Sequence, residues 1–426
     1  MLPEWAKDAN IYEVNIRQYT PEGTFLAFKK HLPRLKETGV EILWFMPVFP
    51  ISENRKKGSL GSYYAVSDFR KVNPAFGTME DFKSVIEEAH LLGMKVILDW
   101  VPNHTGWDHI WIKSNPDFYT RNAQGEIIDP LNEHGDSMGW TDVADLNYSN
   151  KALWNTMKED MLFWIRNHKI DGFRHDMAML VPLEFWKTIV PELLQVKPDL
   201  FMLAESEERA HINENCFHAM YSWSLFHTLN DIAKGHKNAR DLDQWINANL
   251  MMMDKGNYMF FITNHDENSW AGSEIERMGD GYKTFAVLTH TLPGIPLIYS
   301  GQEEPLVKRL QFFEKDDIGF EKYGNAPFYQ KLNAIKKDTP AMWNMPFGGK
   351  LDKVSDHDKV YAFVRSKDKT KVAVILNLSA DLQTFSPLEK LEGISVFNQN
   401  ERVEFPKNQA IELKPWEYIV LIQTVK

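Results

Sequence analysis

The chain carries one cysteine, Cys216, in 426 residues, so no intrachain disulfide can form and the fold must stand on its apolar core. Basic charge is also in short supply. Lys and Arg number 48 against 59 Asp and Glu, a formal net charge of −11 with a pI near 5.7. That balance leaves no cationic surface for nucleic acid or for an anionic membrane, and neither is expected as a partner. No apolar run reaches the ~18 residues a spanning helix needs. The opening MLPEWAKDANIYEV has neither the basic nor the apolar region of a secretory leader. As given, the chain is expected in the cytoplasm, or secreted or periplasmic if a leader was removed. A GxGxxG turn is missing after the first apolar run, which argues against a dinucleotide-binding domain. No organic cofactor is expected.

Aromatic residues are plentiful: 14 Trp, 14 Tyr and 26 Phe. Most belong in the core, but flat apolar faces also stack on sugar rings. Along the chain, short apolar runs alternate with amphipathic stretches. Strands are predicted at 10–16, 41–48, 95–101, 171–175, 200–204, 216–221, 258–262 and 296–299, with helices such as 25–38, 79–92 and 153–167 between them. Repeated βα units of this length predict an α/β fold with a parallel sheet, and eight of them a closed (β/α)8 TIM barrel. Two stretches break the alternation. Residues 103–150, rich in Asn, Asp, Gly and Trp, read as a short inserted domain B after the third strand, with no clear helix. Residues 346–426 switch to strand-like runs such as VYAFVRS and KVAVILNLS and read as a C-terminal β-sandwich domain. The barrel then comprises residues 1–102 and 151–345.

Four segments end apolar runs in acidic or imidazole side chains: DWVPNH (99–104), GFRHD (172–176), MLAES (202–206) and FITNHD (261–266). In a (β/α)8 barrel, carboxyl ends of strands are where active sites are built. Strand alternation puts Arg174 and Asp176 on one side and His175 on the other. A fixed cation beside Asp176 favours its ionised form, as a nucleophile requires. Glu205 follows FMLA, where burial and neighbouring carboxylates raise a carboxyl pKa and suit it to donate a proton. Asp266 can stabilise a cationic transition state, and a neutral His265 can hydrogen-bond sugar hydroxyls. Asp99 is expected to organise its neighbours, and His175 to pack. Several carboxylates around one point suit glycosidic cleavage through an oxocarbenium-like transition state.

These four segments, in this order, resemble the signature segments of the alpha-amylase family, glycoside hydrolase family 13. ADLN (144–147), GVEILWFMPVFP (39–50), GSYYAVSDF (61–69) and GIPLIYSGQE (294–303) extend the similarity over most of the chain. The resemblance implies Asp176 as nucleophile, Glu205 as acid/base and Asp266 as transition-state stabiliser. It places Tyr64, as a stacking platform, with His104, Arg174 and His265 around the attacked sugar. It further implies a retaining mechanism on α-1,4-glucosidic bonds of starch-type glucans or maltooligosaccharides, with the reacting carboxyls about 5 to 5.5 Å apart. Asn103 and Asp145 match positions that bind calcium in many relatives, although a hydrogen-bonded pair would serve there equally. Two departures stand out. Met179 and Leu180 occupy positions where many amylases have Lys-His, and the segment before Tyr64 lacks the usual His-Gly. The alternatives are a glucan transglycosylase or isomerase of the 4-α-glucanotransferase or trehalose synthase type, and, more remotely, a non-catalytic amylase-like binding protein.

Overall fold

In a computed structural model, which describes residues 1–132 and 134–424, eight short parallel strands close into a barrel. They are β1 (Ile11–Val14), β2 (Ile42–Phe45), β3 (Lys95–Trp100), β4 (Gly172–His175), β5 (Phe201–Ala204), β6 (Ala219–Tyr221), β7 (Asn257–Phe260) and β8 (Ile295–Tyr299). Each pairs with the strands before and after it in sequence, and β8 returns to β1 through Ile11 opposite Leu297. The predicted (β/α)8 architecture is therefore the observed one.

Period-two alternation sorts the barrel strands into two apolar layers. Ile11, Trp44, Ile97, Leu203, Tyr221, Met259 and Leu297 pack together inside the barrel. Tyr12, Val14, Leu43, Phe45, Val96, Leu98 and Phe173 face outward to the helices. The same alternation turns Glu13, Asp99 and Arg174 inward, so charge enters the barrel in one layer near the strands' carboxyl ends. Register fixes the layer: Asp99 lies opposite Arg174, and Glu13 opposite both Trp44 and Tyr299.

Some local expectations are corrected. The helix foreseen at 25–38 is two pieces, Phe25–Lys29 and Leu32–Glu37. Residues 103–150 do contain a helical turn, Ile110–Ser114, beside a two-stranded pair, His104–Gly106 with Val143–Asp145. Beyond the barrel, a six-stranded antiparallel sheet and the pair Gln383–Phe385 with Ile411–Leu413 enclose their own core of Val360, Ala362, Ile375, Leu391 and Leu421. Among the described residues no helix is long and apolar enough to cross a membrane.

Candidate active site

A cavity of about 370 Å³ opens among the loops that follow the strands' carboxyl ends. It brings together six of the seven expected catalytic and substrate-binding residues in its walls: Tyr64, His104, Asp176, Glu205, His265 and Asp266. Arg174 lies beneath them, fully buried.

Arg174 organises the floor. Its Nη1 donates to Asp99 Oδ1 at 2.8 Å and to Asp176 Oδ1 at 3.0 Å, and its Nε donates to the Tyr221 hydroxyl at 3.0 Å. Nη2 lies 2.8 Å from Glu205 Oε2 as a charge contact, without hydrogen-bond alignment. The main-chain N–H of Met177, a residue in the left-handed region at φ 44°, donates to that same oxygen at 2.8 Å. One guanidinium thus serves three carboxyl groups rather than Asp176 alone.

This sharing sets the protonation. Burial pushes the Asp176 carboxyl up to about 7; Arg174 pulls it down, and Asp99 and Asp266 push it up further. Burial likewise raises Glu205 to about 7, against Arg174 and with Asp176 and Asp266. Two coupled carboxyls titrate as a pair, and the first proton to leave is released by the group better stabilised as an anion. Asp176 accepts the aligned hydrogen bond from Arg174, whereas Glu205 has only unaligned charge contact with it. The guanidinium thus favours the proton on Glu205, whose anion keeps the Met177 N–H but no aligned bond from Arg174. Asp99 does organise its neighbours: Tyr64 OH and Trp44 Nε1 donate to its Oδ2 at 3.0 and 3.1 Å.

His265 and Asp266 stand differently from expectation. They do not end a strand; β7 stops at Phe260, and the two residues begin the helix His265–Trp270, capped by the Asn264 side chain accepting from Glu267 N–H. Nor is His265 neutral. Its Nδ1 lies 2.5 Å from Glu13 Oε1 and its Nε2 3.3 Å from Asp266 Oδ2. Burial opposes the charge, but Asp266 and Glu13 outweigh it and raise the imidazole to about 9. Nε2 also lies 2.7 Å from Tyr64 OH, so this imidazolium fixes the platform ring on which it partly stacks.

His104, by contrast, is a neutral ring. Burial lowers it to about 3, and the Asn103 amide lies 3.2 Å from Nδ1, which leaves the ring proton on Nε2. His175 points away from the site and is packed by Trp186 and Phe217. Met179 and Leu180 form a short turn just beyond Met177, with Leu180 exposed.

Asn103 and Asp145 flank the base of the inserted strand pair. The Asp145 carboxyl, raised to about 6 by burial, accepts a hydrogen bond from Thr120. Calcium takes roughly six to eight oxygen ligands. Among the described residues no group of three or more His, Cys, Asp or Glu side chains is arranged to hold a metal. Asn103 and Asp145 alone fall short of a calcium shell, and no chemical step is routed through one below.

Several wall residues escaped the sequence reading: Glu13 behind His265, Lys57 and Asp142 on one rim, and the aromatic side chains of Trp140, Trp270 and Phe312. Glu13 alone had a local signal, as the one acid inside the apolar strand IYEV.

Residues 7–345 match the family model for the alpha amylase catalytic domain. Alpha-amylase 3 of Dictyoglomus thermophilum is 24% identical over 98% of this chain and 93% of its own length. Among solved structures, a noncanonic maltogenic alpha-amylase from Thermotoga neapolitana is 25% identical with a TM-score of 0.88, covering 99% of this chain and 100% of that one. An alpha-amylase from Lactobacillus plantarum is 26% identical with a TM-score of 0.86 over 99% of this chain and 100% of its own.

Proposed function

The chain belongs to the alpha-amylase family and is a glycoside hydrolase, and on that premise we propose that it hydrolyses α-1,4-glucosidic bonds of starch-type glucans or maltooligosaccharides with retention of configuration. Asp176 attacks the anomeric carbon through Oδ2, the oxygen not held by Arg174. Glu205 delivers its proton to the glycosidic oxygen, then takes one from the water that resolves the glucosyl–enzyme intermediate. Asp266 supplies negative charge beside the oxocarbenium-like transition state. Tyr64, its hydroxyl held by cationic His265, carries the sugar ring on its face, neutral His104 donates to a hydroxyl, and Arg174 holds the reacting carboxyls in place.

The observation that supports this reading is the unequal grip of Arg174 on Asp176 and Glu205, which favours an ionised Asp176 beside a protonated Glu205. Proton NMR of the first product formed from maltooligosaccharides tests it. The α anomer is expected, and initial release of the β anomer would refute retention. Longer oligosaccharides or trehalose among the products would instead assign capture by sugar over capture by water.

A further inference from the structure

Lys57, Asp142 and Phe313 line one rim of the cavity, and the loops that carry them are tied together at several points. Glu205 directly follows β5, which stands four strands from β1 in either direction around the barrel. On the β1 side, the loop after β2 is fastened to both of its neighbours. Toward the inserted segment, Lys57 Nζ lies 2.9 Å from Asp142 Oδ1 and donates to the carbonyl of Gly139 at 3.1 Å. Toward the loop after β8, Ser59 donates to Glu314 through both its N–H and its hydroxyl, and Leu60 N–H donates to Phe313 O at 3.0 Å. Gly58 approaches so closely that a Cβ there would lie 2.5 Å from that of Phe313. Buried Arg17, just after β1, locks the seam from beneath by donating to the carbonyls of Leu60, Gly61 and Phe312.

The direction of the chain of sugars follows from the reacting groups. Protonation by Glu205 places the leaving, reducing-side portion of the glucan toward β5. The C4 end of the attacked ring, opposite its anomeric carbon, then points toward the clasp. A glucan continuing in that direction would have to pass through the loops.

We infer that this protein is an exo-acting enzyme that takes only the non-reducing ends of α-glucans, with the Lys57–Asp142 pair as the end stop that reads the terminal hydroxyls. An ammonium has three donors; that of Lys57 gives one to Gly139 O and pairs with Asp142 by charge, so a donor remains for a sugar hydroxyl. The Asp142 carboxylate offers an acceptor beside it. A donor and an acceptor side by side suit the neighbouring hydroxyls of a terminal glucosyl unit. An internal unit, whose 4-oxygen is glycosylated, has neither the hydroxyl nor the room.

The inference rests on the glucan reading above, and one pair of substrates separates the two. Chromatography follows p-nitrophenyl α-maltoheptaoside and the same compound carrying a 4,6-O-ethylidene group on its non-reducing end. The free-ended substrate is expected to shorten by terminal units, and the blocked one to react about a hundredfold more slowly. Comparable rates with internal fragments would overturn the inference and leave the glucan reading intact. Turnover of neither would overturn the reading itself, and the inference with it. The double variant Lys57→Ala, Glu314→Ala should raise the blocked-to-free rate ratio about tenfold. That ratio is insensitive to the folded fraction, and an unchanged value would likewise overturn the end stop.

Discussion

Arg174 and Arg365 are both fully buried, and they show opposite uses of the same side chain. Arg174, at the carboxyl end of β4, is surrounded by carboxyl groups. Burial alone would lower its affinity for the proton, yet Asp99 and Glu205 outweigh burial and raise it. Arg365 sits where the C-terminal sheet meets the segment leading into β8, and it donates only to main-chain carbonyls: those of Gly349, Thr291, Leu292, Met342 and Trp343 at 2.7 to 3.3 Å. With no anion to oppose burial, its pKa falls to about 9. Lys336 repeats the pattern nearby, donating to Gly294 O and Met342 O at 2.7 and 3.0 Å. Neutral dipoles suffice to fasten two units, whereas chemistry needs competing formal charges. In a barrel of this kind, the strands' carboxyl ends carry reactivity and their amino ends carry stability.

The strongest way to break this contrast is to remove each guanidinium. Arg174→Met should cut kcat by about a thousandfold in protein that remains folded by circular dichroism. Arg365→Met should leave kcat within about twofold but cost about 2–4 kcal/mol in denaturant unfolding, because several buried carbonyls lose their donor. Lys336→Met, which strands the Gly294 carbonyl and leaves Met342 O to Arg365, should cost about 1–2 kcal/mol. A collapse of kcat in folded Arg365→Met, or a silent Arg174→Met, would erase the distinction.

The pH dependence sharpens it. Glu205 must be protonated to act and is raised to about 7, so kcat/KM should fall as pH rises through about 7. A rate still climbing from pH 7 to 8 would contradict the proton assignment. A further effect concerns stability. His265 has a folded pKa near 9, above its unfolded value of about 6.5, so its contribution is fully present below pH 6.5 and is lost as pH rises through about 9. Thermal unfolding between pH 6 and 10 should show a decline in Tm that Glu13→Gln flattens.

The barrel and the carboxyls gathered at its mouth were legible because both have local signals: period-two apolar runs, and acids at the ends of those runs. Arg174 and Asp176 share a side by simple alternation, and β4 bears this out. The misreadings arose where a second local signal competed or where no local signal existed. FITNHD looks like one strand, but Asn264, three residues before Glu267, is a helix cap, and the cap prevails over the apolar run. The charge of His265 depends on Asp266 beside it and also on Glu13, 252 residues away in sequence, to which no local pattern links it. The Lys57–Asp142 and Ser59–Glu314 contacts join loops from distant units in the same way. Period and propensity describe neighbours along the chain; such contacts are settled only by closure of the ring.

That closure also sets an order of events during synthesis. The seam between β1 and β8 joins Asn15 to the Tyr299 hydroxyl across 284 residues, and Ser300 N–H to the carbonyl of Glu13. A growing chain therefore displays Asp176 and Glu205 well before it possesses the strand that holds Glu13 against His265. Contacts of such long range form late and slowly, since the loop entropy must be met before they contribute. The last barrel strand to leave the ribosome is thus the one that makes the nascent polypeptide an enzyme.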